Sequence, residues 1–238
     1  MVALYVLYVI DDMFIMKNII VAAIKRLSKG KRIFCSEADF QFSLAWEIMQ
    51  ICKGALVYLE DGIQVNGQTY YVDIIVVIKA KKYYIELKYQ TSECSYTNAL
   101  GSVIQLKEEA AEDLMRYNYL NDINRLLTIK QSLSGDFGGG YAIILSNDTR
   151  MYKRPSQNRT RALDHDFRIH ERGKNGDQAF PIPGIVKWNN TNPKHWTNMN
   201  SKYNKQFYLP PINTKWEHFL TVNYNNKEQE FKYLINSV

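Results

Sequence analysis

The chain has 238 residues, 46% hydrophobic and 23% charged, the balance of an ordinary globular protein. This excludes a disordered tail, a collagen-like fibre and a coiled coil, and no run reaches the roughly 18 to 20 apolar residues needed to span a bilayer. Three cysteines (Cys35, Cys52, Cys94) without a Cys-x-x-Cys exclude a disulfide scaffold and a cysteine zinc site, and point to a reducing cytoplasm. Net charge is +6; residues 1–132 hold 15 basic and 15 acidic side chains, so the whole excess lies beyond them. Residues 150–174 alone carry a surplus of five positive charges, which suits an anionic partner or a solvated basic loop.

In chain order, Ala3 to Ile10 is a run of eight apolar residues, interrupted by Asp11 and Asp12. It lacks a basic leader and is too short for a membrane helix, so it is not read as a signal peptide. Two readings remain: residues 1–15 precede a true start at Met16 or form a loosely ordered extension, which is preferred, or they pack on the domain as a strand or helix. Residues 16–28 read as an amphipathic helix with Ile19, Ile20, Ala23, Ile24 and Leu27 on one face. Ser36 is an N-cap with Asp39 at the capping-box position, opening a helix that runs to about Lys53 before Gly54.

Ala55 to Glu60 reads as a strand ended by an Asp61-Gly62 turn. Tyr70 to Ile78 and Lys82 to Tyr89 form a hairpin. Leu100 to Gln131 has helical periodicity. Gly138-Gly139-Gly140 is a flexible break before a short apolar strand, Tyr141 to Leu145. Beyond residue 150 the texture turns to Asn, Lys, Tyr and Pro. Ile182 to Trp188, Lys205 to Leu209 and Phe231 to Ile235 are predicted strands, Trp216 to Phe219 a strand or short helix, and 189–204 a polar loop. This part either extends the first sheet or builds a small second one.

The chemistry concentrates in Tyr71-Val-Asp73-Ile-Ile-Val-Val and Tyr84-Ile-Glu86-Leu87-Lys88-Tyr. A tight turn at Lys79-Ala80 sets Asp73 directly opposite Glu86, with Cβ atoms roughly 5 Å apart. Lys88 shares the face of Glu86. Two facing carboxylates repel, and burial worsens it. A hard divalent cation offsets that repulsion. An ion pair with Lys88 on a solvated face is the plainer alternative. The flanking Ile74, Ile75, Val76, Val77, Ile85 and Leu87 argue for buried central strands, where ionisable groups are costly without a function.

Asp73, twelve residues, then Glu86-Leu87-Lys88 resembles the PD-(D/E)xK nucleases, with Val72 at the nominal proline. The family's core order of helix, three strands, helix and strand matches residues 36–146 without insertions. The resemblance implies a restriction-endonuclease-like αβββαβ core over 36–150, with a mixed central sheet flanked by helices. Residues 1–35 are then an N-terminal extension and helix, and 151–238 a basic, β-rich elaboration of the same α/β domain.

The resemblance further implies Mg²⁺, with Mn²⁺ as a substitute, held by Asp73, Glu86 and the Leu87 carbonyl. Lys88 orients or helps deprotonate the attacking water, and the products carry 5′-phosphate and 3′-hydroxyl ends. The function implied is a Mg²⁺-dependent DNA endonuclease of restriction or defence type, acting on double-stranded DNA, without a membrane partner and with a homodimer left open. The alternatives are a catalytically inactive nucleic-acid-binding module of the same fold and a junction-resolvase-like repair nuclease.

The family often adds an acid from the first helix. At about 100° per residue, Glu37 falls inside the apolar face and Glu47 on its border, so Glu37 is preferred, although an acid in a first turn is favourable anyway. Gln41 lies one turn from Glu37, and Glu60 ends the first strand as a further candidate acid. Arg150, Lys153, Arg154, Arg159 and Arg161 leave the end of the fourth strand, where phosphate contacts are natural. Gln90, Gln105 and Asp148 are weaker candidates near the same end. Asp113, Arg116, Asp122 and Arg125 read as ion pairs within one helix. His165, His170, His195 and His218 lack metal-binding spacing. Trp188, Trp196 and Trp216 read as core, and the glycine triplet lacks the Lys-Ser/Thr of a phosphate-binding loop.

Overall fold

Valine-, isoleucine- and tyrosine-rich segments pair into one central sheet whose two faces are closed by different parts of the chain. The computed structural model describes residues 2–30, 32–98, 100–133, 135–155, 162–171, 184–188 and 206–238, without the side chains of residues 2–12. Helices α1 (Val2–Lys29) and α2 (Glu37–Ile51) precede strands β1 (Leu56–Val65), β2 (Gln68–Ile78) and β3 (Lys81–Gln90). A small hairpin, β4 (Cys94–Thr97) and β5 (Val103–Leu106), comes before helix α3 (Glu112–Ser132) and strand β6 (Phe137–Ser146). The short helix α4 (Thr149–Tyr152) leads to β7 (Gly184–Val186), β8 (Phe207–Leu209), β9 (Glu217–Tyr224) and β10 (Lys227–Ser237).

The main sheet has the order β1-β2-β3-β6-β10-β9, with β3 and β6 parallel and the other pairs antiparallel. The protein is therefore a mixed α/β fold with a mixed central sheet flanked by helices. Among the described residues, no helix is long and apolar enough to cross a membrane. One face of the sheet packs on α1 and α2 through Ile20, Ile24, Phe40, Leu44, Ile74, Ile85 and Ile143. The other packs on α3 and the β7–β8 pair through Leu120, Ile123, Leu126, Tyr84, Ile144 and Trp188. The C-terminal part thus does both things left open by its sequence: β9 and β10 extend the first sheet, and β7 with β8 makes a second.

Several expectations are corrected. The backbone is helical from Val2, so the stretch before Met16 continues into α1; it contains no glycine or proline, and nothing local stops the helix. The Met13 carbonyl accepts a 2.7 Å bond from the Tyr141 hydroxyl, tying α1 to β6. Asp61-Gly62 does not turn the chain but lies within β1, and the turn comes at Asn66-Gly67. Both turn residues take positive φ, 50° and 76°, which asparagine and glycine tolerate best.

Residues 100–111 are not helical. Val103–Leu106 pairs with Cys94–Thr97 around a turn that the Asn98 side chain closes by accepting from the Leu100 and Ser102 amides. This hairpin is an insertion in the expected element order. The glycine triplet is strand, not a break. A Cβ on Gly138 would lie 2.7 Å from the Tyr83 ring and one on Gly140 2.7 Å from Val238, so glycine there lets neighbouring side chains cross the strand.

Candidate active site

Ser36 opens α2 as expected, accepting the Asp39 amide at 3.1 Å, while the Asp39 carboxylate takes the Cys35 amide. That cap sets Glu37 in the first turn, above the C-terminal ends of β3 and β6. Glu37 accepts the Tyr89 amide at 2.9 Å and stands 3.9 Å from the Lys88 ammonium.

The β2–β3 hairpin has the predicted register: Ile75 pairs with Tyr84 and Ile74 with Ile85, so Asp73 and Glu86 come next, where the ladder ends. The apolar alternation of β2 breaks at that point. Val72 and Ile75 face α3, whereas Ile74 faces α2. Opposite Asp73, Glu60 takes a left-handed φ of 51°, and the β1 pattern flips there too. The Asp73 carboxylate then accepts the Leu87 amide at 2.6 Å, taking the place of a main-chain partner. Gln41, buried, donates to both the Glu60 carboxylate and the Asp73 carbonyl, holding this kink against α2.

Glu86 and Lys88 point to the α3 side, where two residues read from the sequence as merely intrahelical meet them. Asp122, buried on α3, lies 3.0 Å from the Lys88 ammonium. Arg125 lies 3.2 Å from Asp122 and 3.3 Å from Glu86, donates to the Tyr71 carbonyl and covers the Tyr70 ring. The Lys88 ammonium also donates to the Leu87 carbonyl at 2.7 Å. Asp122 was legible by the same wheel that singled out Glu37: at about 100° per residue it falls between Leu126 and Ile129 inside the apolar face of α3. Its neighbour at i+3, Arg125, masked that signal.

Four acids (Glu37, Asp73, Glu86, Asp122) therefore face two bases (Lys88, Arg125), an excess of two acids. Burial pushes the Glu37, Asp73 and Glu86 carboxyls up, Glu86 furthest, although Lys88, Arg125 and backbone amides oppose it. Burial pulls Lys88 down, but Asp122, Glu37 and Asp73 outweigh it and hold the ammonium above its ordinary value. One Glu86 oxygen is buried without a hydrogen bond, its nearest partner being the Arg125 guanidinium at 3.3 Å.

Among the described residues, no three His, Cys, Asp or Glu side chains stand at metal-binding spacing. The set implied by the resemblance needs only two carboxylates and the Leu87 carbonyl. These are oxygen donors of the kind a hard dication prefers, and a dication would offset the excess of acids. On that chemistry the residues fit such an ion.

The other candidates scatter. Glu47 is turned away and pairs with Arg26 of α1 at 3.6 Å, so it is no part of the cluster. Glu60 stays beside it through Gln41. Arg150 is engaged by Asp148, Glu108 and Glu112, which removes it as a ready phosphate contact. Lys153 and Arg154 line a cavity of about 430 Å³ with Arg116, Arg168 and Asp164. Arg159, Arg161, His195 and Trp196 lie outside the described residues. Arg116 does not pair within its helix but with Asp164, and Asp113 binds the Leu114 amide.

Gln90 is buried and donates to the Glu109 carbonyl, and Asp148 caps α4. Trp188 and Trp216 are core, as read. The chain matches no known family model, characterised protein or solved structure.

Proposed function

We propose that the protein is a divalent-metal-dependent nuclease of the PD-(D/E)xK type, a DNA endonuclease of restriction or defence character built on a restriction-endonuclease-like core. The observation that carries this reading is the excess of acids over bases at the end of the β2–β3 ladder, with a buried Glu86 oxygen that lacks a hydrogen bond. An α2–β1–β2–β3–α3–β6 order, with β6 parallel to β3, supports the fold implied by the resemblance once the β4–β5 hairpin is set aside.

In this reading Asp73, Glu86 and the Leu87 carbonyl hold Mg²⁺, with Mn²⁺ as a substitute. The ion supplies Lewis acidity and a lowered water pKa at the scissile phosphate. Lys88, kept charged by Asp122, Glu37 and Asp73, has no free lone pair to take a proton. It orients the attacking water and neutralises charge growing on the phosphate. Glu37 fixes the Tyr89 end of β3 and helps hold the ammonium. Lys153 and Arg154 contact backbone phosphates beyond the site.

A plasmid-nicking assay tests this. Mg²⁺-dependent nicking that EDTA abolishes and that Lys88→Ala reduces by orders of magnitude is the expected result. Nicking unchanged in Lys88→Ala defeats the assignment, and DNA binding without any turnover makes the chain an inactive binding module. Linear, branched and single-stranded substrates then separate a restriction-type enzyme from a junction-specific one.

A further inference from the structure

We propose that Arg125 is a displaceable counter-charge: it occupies the Glu86 side of the site in the metal-free protein and yields that carboxylate to an oxygen-preferring dication. The inference rests on the metal-binding reading above and adds a residue to it that neither the motif nor the resemblance names.

The geometry is that of a stand-in. The Arg125 guanidinium stands 3.3 Å from the Glu86 oxygen that lacks a hydrogen bond, so charge attracts it there without directional bonding. An arginine built to hold a carboxylate permanently forms a two-pronged bond at hydrogen-bond distance. Arg150 does so on Asp148, with bonds of 2.8 to 3.0 Å.

Arg125 has other places to rest. It donates to the Tyr71 carbonyl, lies over the Tyr70 ring and reaches Asp122 at 3.2 Å. Leaving Glu86 therefore strands neither the guanidinium nor Asp122. Its side chain is 25% exposed, whereas that of Glu86 is 1% exposed, so Arg125 is the partner of the pair with room to move toward solvent.

Two cations cannot share one oxygen's coordination position, so the guanidinium and the dication compete for Glu86. Removing a competitor tightens the binding of the other ligand. A purely structural Arg125 predicts the reverse, because losing it would loosen Glu86 and weaken any ion that Glu86 holds.

The test is titration calorimetry of Mn²⁺ into the full chain, without nucleic acid, for the native protein, Arg125→Gln, Arg125→Lys and Asp73→Asn/Glu86→Gln. Tighter Mn²⁺ binding in Arg125→Gln, by about tenfold, with Arg125→Lys in between, supports the proposal; so does Mn²⁺ binding that appears only once Arg125 is replaced. Equal or weaker binding in a folded Arg125→Gln, judged by circular dichroism, overturns it while leaving the metal site standing. Should Arg125→Gln fail to fold, Arg125→Lys decides by the same criterion. No Mn²⁺ binding by any variant, or binding that survives Asp73→Asn/Glu86→Gln, overturns the metal-binding reading and this inference with it.

Discussion

Helix α3 carries two charge clusters, one near its N-terminus and one at its middle, and they differ in how their charges are matched. Near its N-terminus, Arg116 is buried against Asp164, which also takes Arg168, and its second nitrogen donates to the Arg150 carbonyl. Arg150 in turn is forked onto Asp148 and flanked by Glu108 and Glu112. Each of these carboxylates has an arginine beside it. Further along α3, Asp122 and Arg125 meet Glu86, Lys88, Asp73 and Glu37, four acids to two bases where the first cluster has four to three, and the nearest partner of the Glu86 oxygen is an arginine 3.3 Å away. The first cluster pins α4 and the segment around Asp164 to the fold. The second gathers buried acids whose carboxyls burial pushes up, the kind of cluster that the proposed metal site would use.

The contrast breaks most sharply in catalysis. Glu86→Gln or Asp73→Asn should lower Mg²⁺-dependent cleavage by about a thousandfold or more, equivalent to roughly 4 kcal/mol of barrier. Single-turnover nicking rates measure it, with circular dichroism to verify folding. Arg116→Met should do the opposite. Leaving Asp164 buried without its main partner should cost about 3 kcal/mol of stability, read from chemical denaturation, with cleavage per folded molecule nearly unchanged. A large catalytic loss in Arg116→Met would erase the distinction between the two clusters.

Asp122→Asn should sharpen it. Without that carboxylate Lys88 loses its closest counter-charge, and cleavage should fall about 10- to 100-fold, the usual effect of removing a support for a site residue. Overall stability should change little, because a neutral amide still fills the space.

The pH dependence of the metal-free protein gives a smaller effect with a fixed sign. Burial raises the Glu86 carboxyl above its ordinary value of 4.5, so folding favours the protonated form. That contribution to stability is fully present below about pH 4.5 and is lost as pH rises through the higher folded value. Glu86→Gln should therefore stabilise the metal-free protein near neutral pH. Denaturation curves at two pH values check this, and destabilisation at neutral pH would contradict it. The smallest change is expected at Glu47, whose partly exposed pair with Arg26 is worth under about 1 kcal/mol; Glu47→Ala should leave cleavage unaltered.

Local patterns carried a good part of this fold. The Ser36 cap, the register of the β2–β3 hairpin around Lys79-Ala80 and the convergence of Asp73, Glu86 and Lys88 follow from spacing, because strand period and turn length leave few alternatives. Where local signals were weak or doubled, the reading slipped. Asp61-Gly62 and Asn66-Gly67 both look like turns, and only the pairing of β1 with β2 selects the second. Residues 100–111 have helical periodicity, yet they become a strand and loops because β4 offers Val103–Leu106 a partner.

By itself, the sequence determined the chemistry-bearing strands: three ionisable side chains set in apolar runs, at a spacing that one hairpin must bring together. Tertiary structure decided which charges surround them. Asp122 and Arg125 sit on a helix more than thirty residues away, and their contacts with Lys88 and Glu86 exist only because α3 crosses that face of the sheet. Packing likewise turned Glu47 toward α1 and bound Arg150 to its three acids. Charge interactions depend on distance through space and on burial, and neither is encoded in separation along the chain.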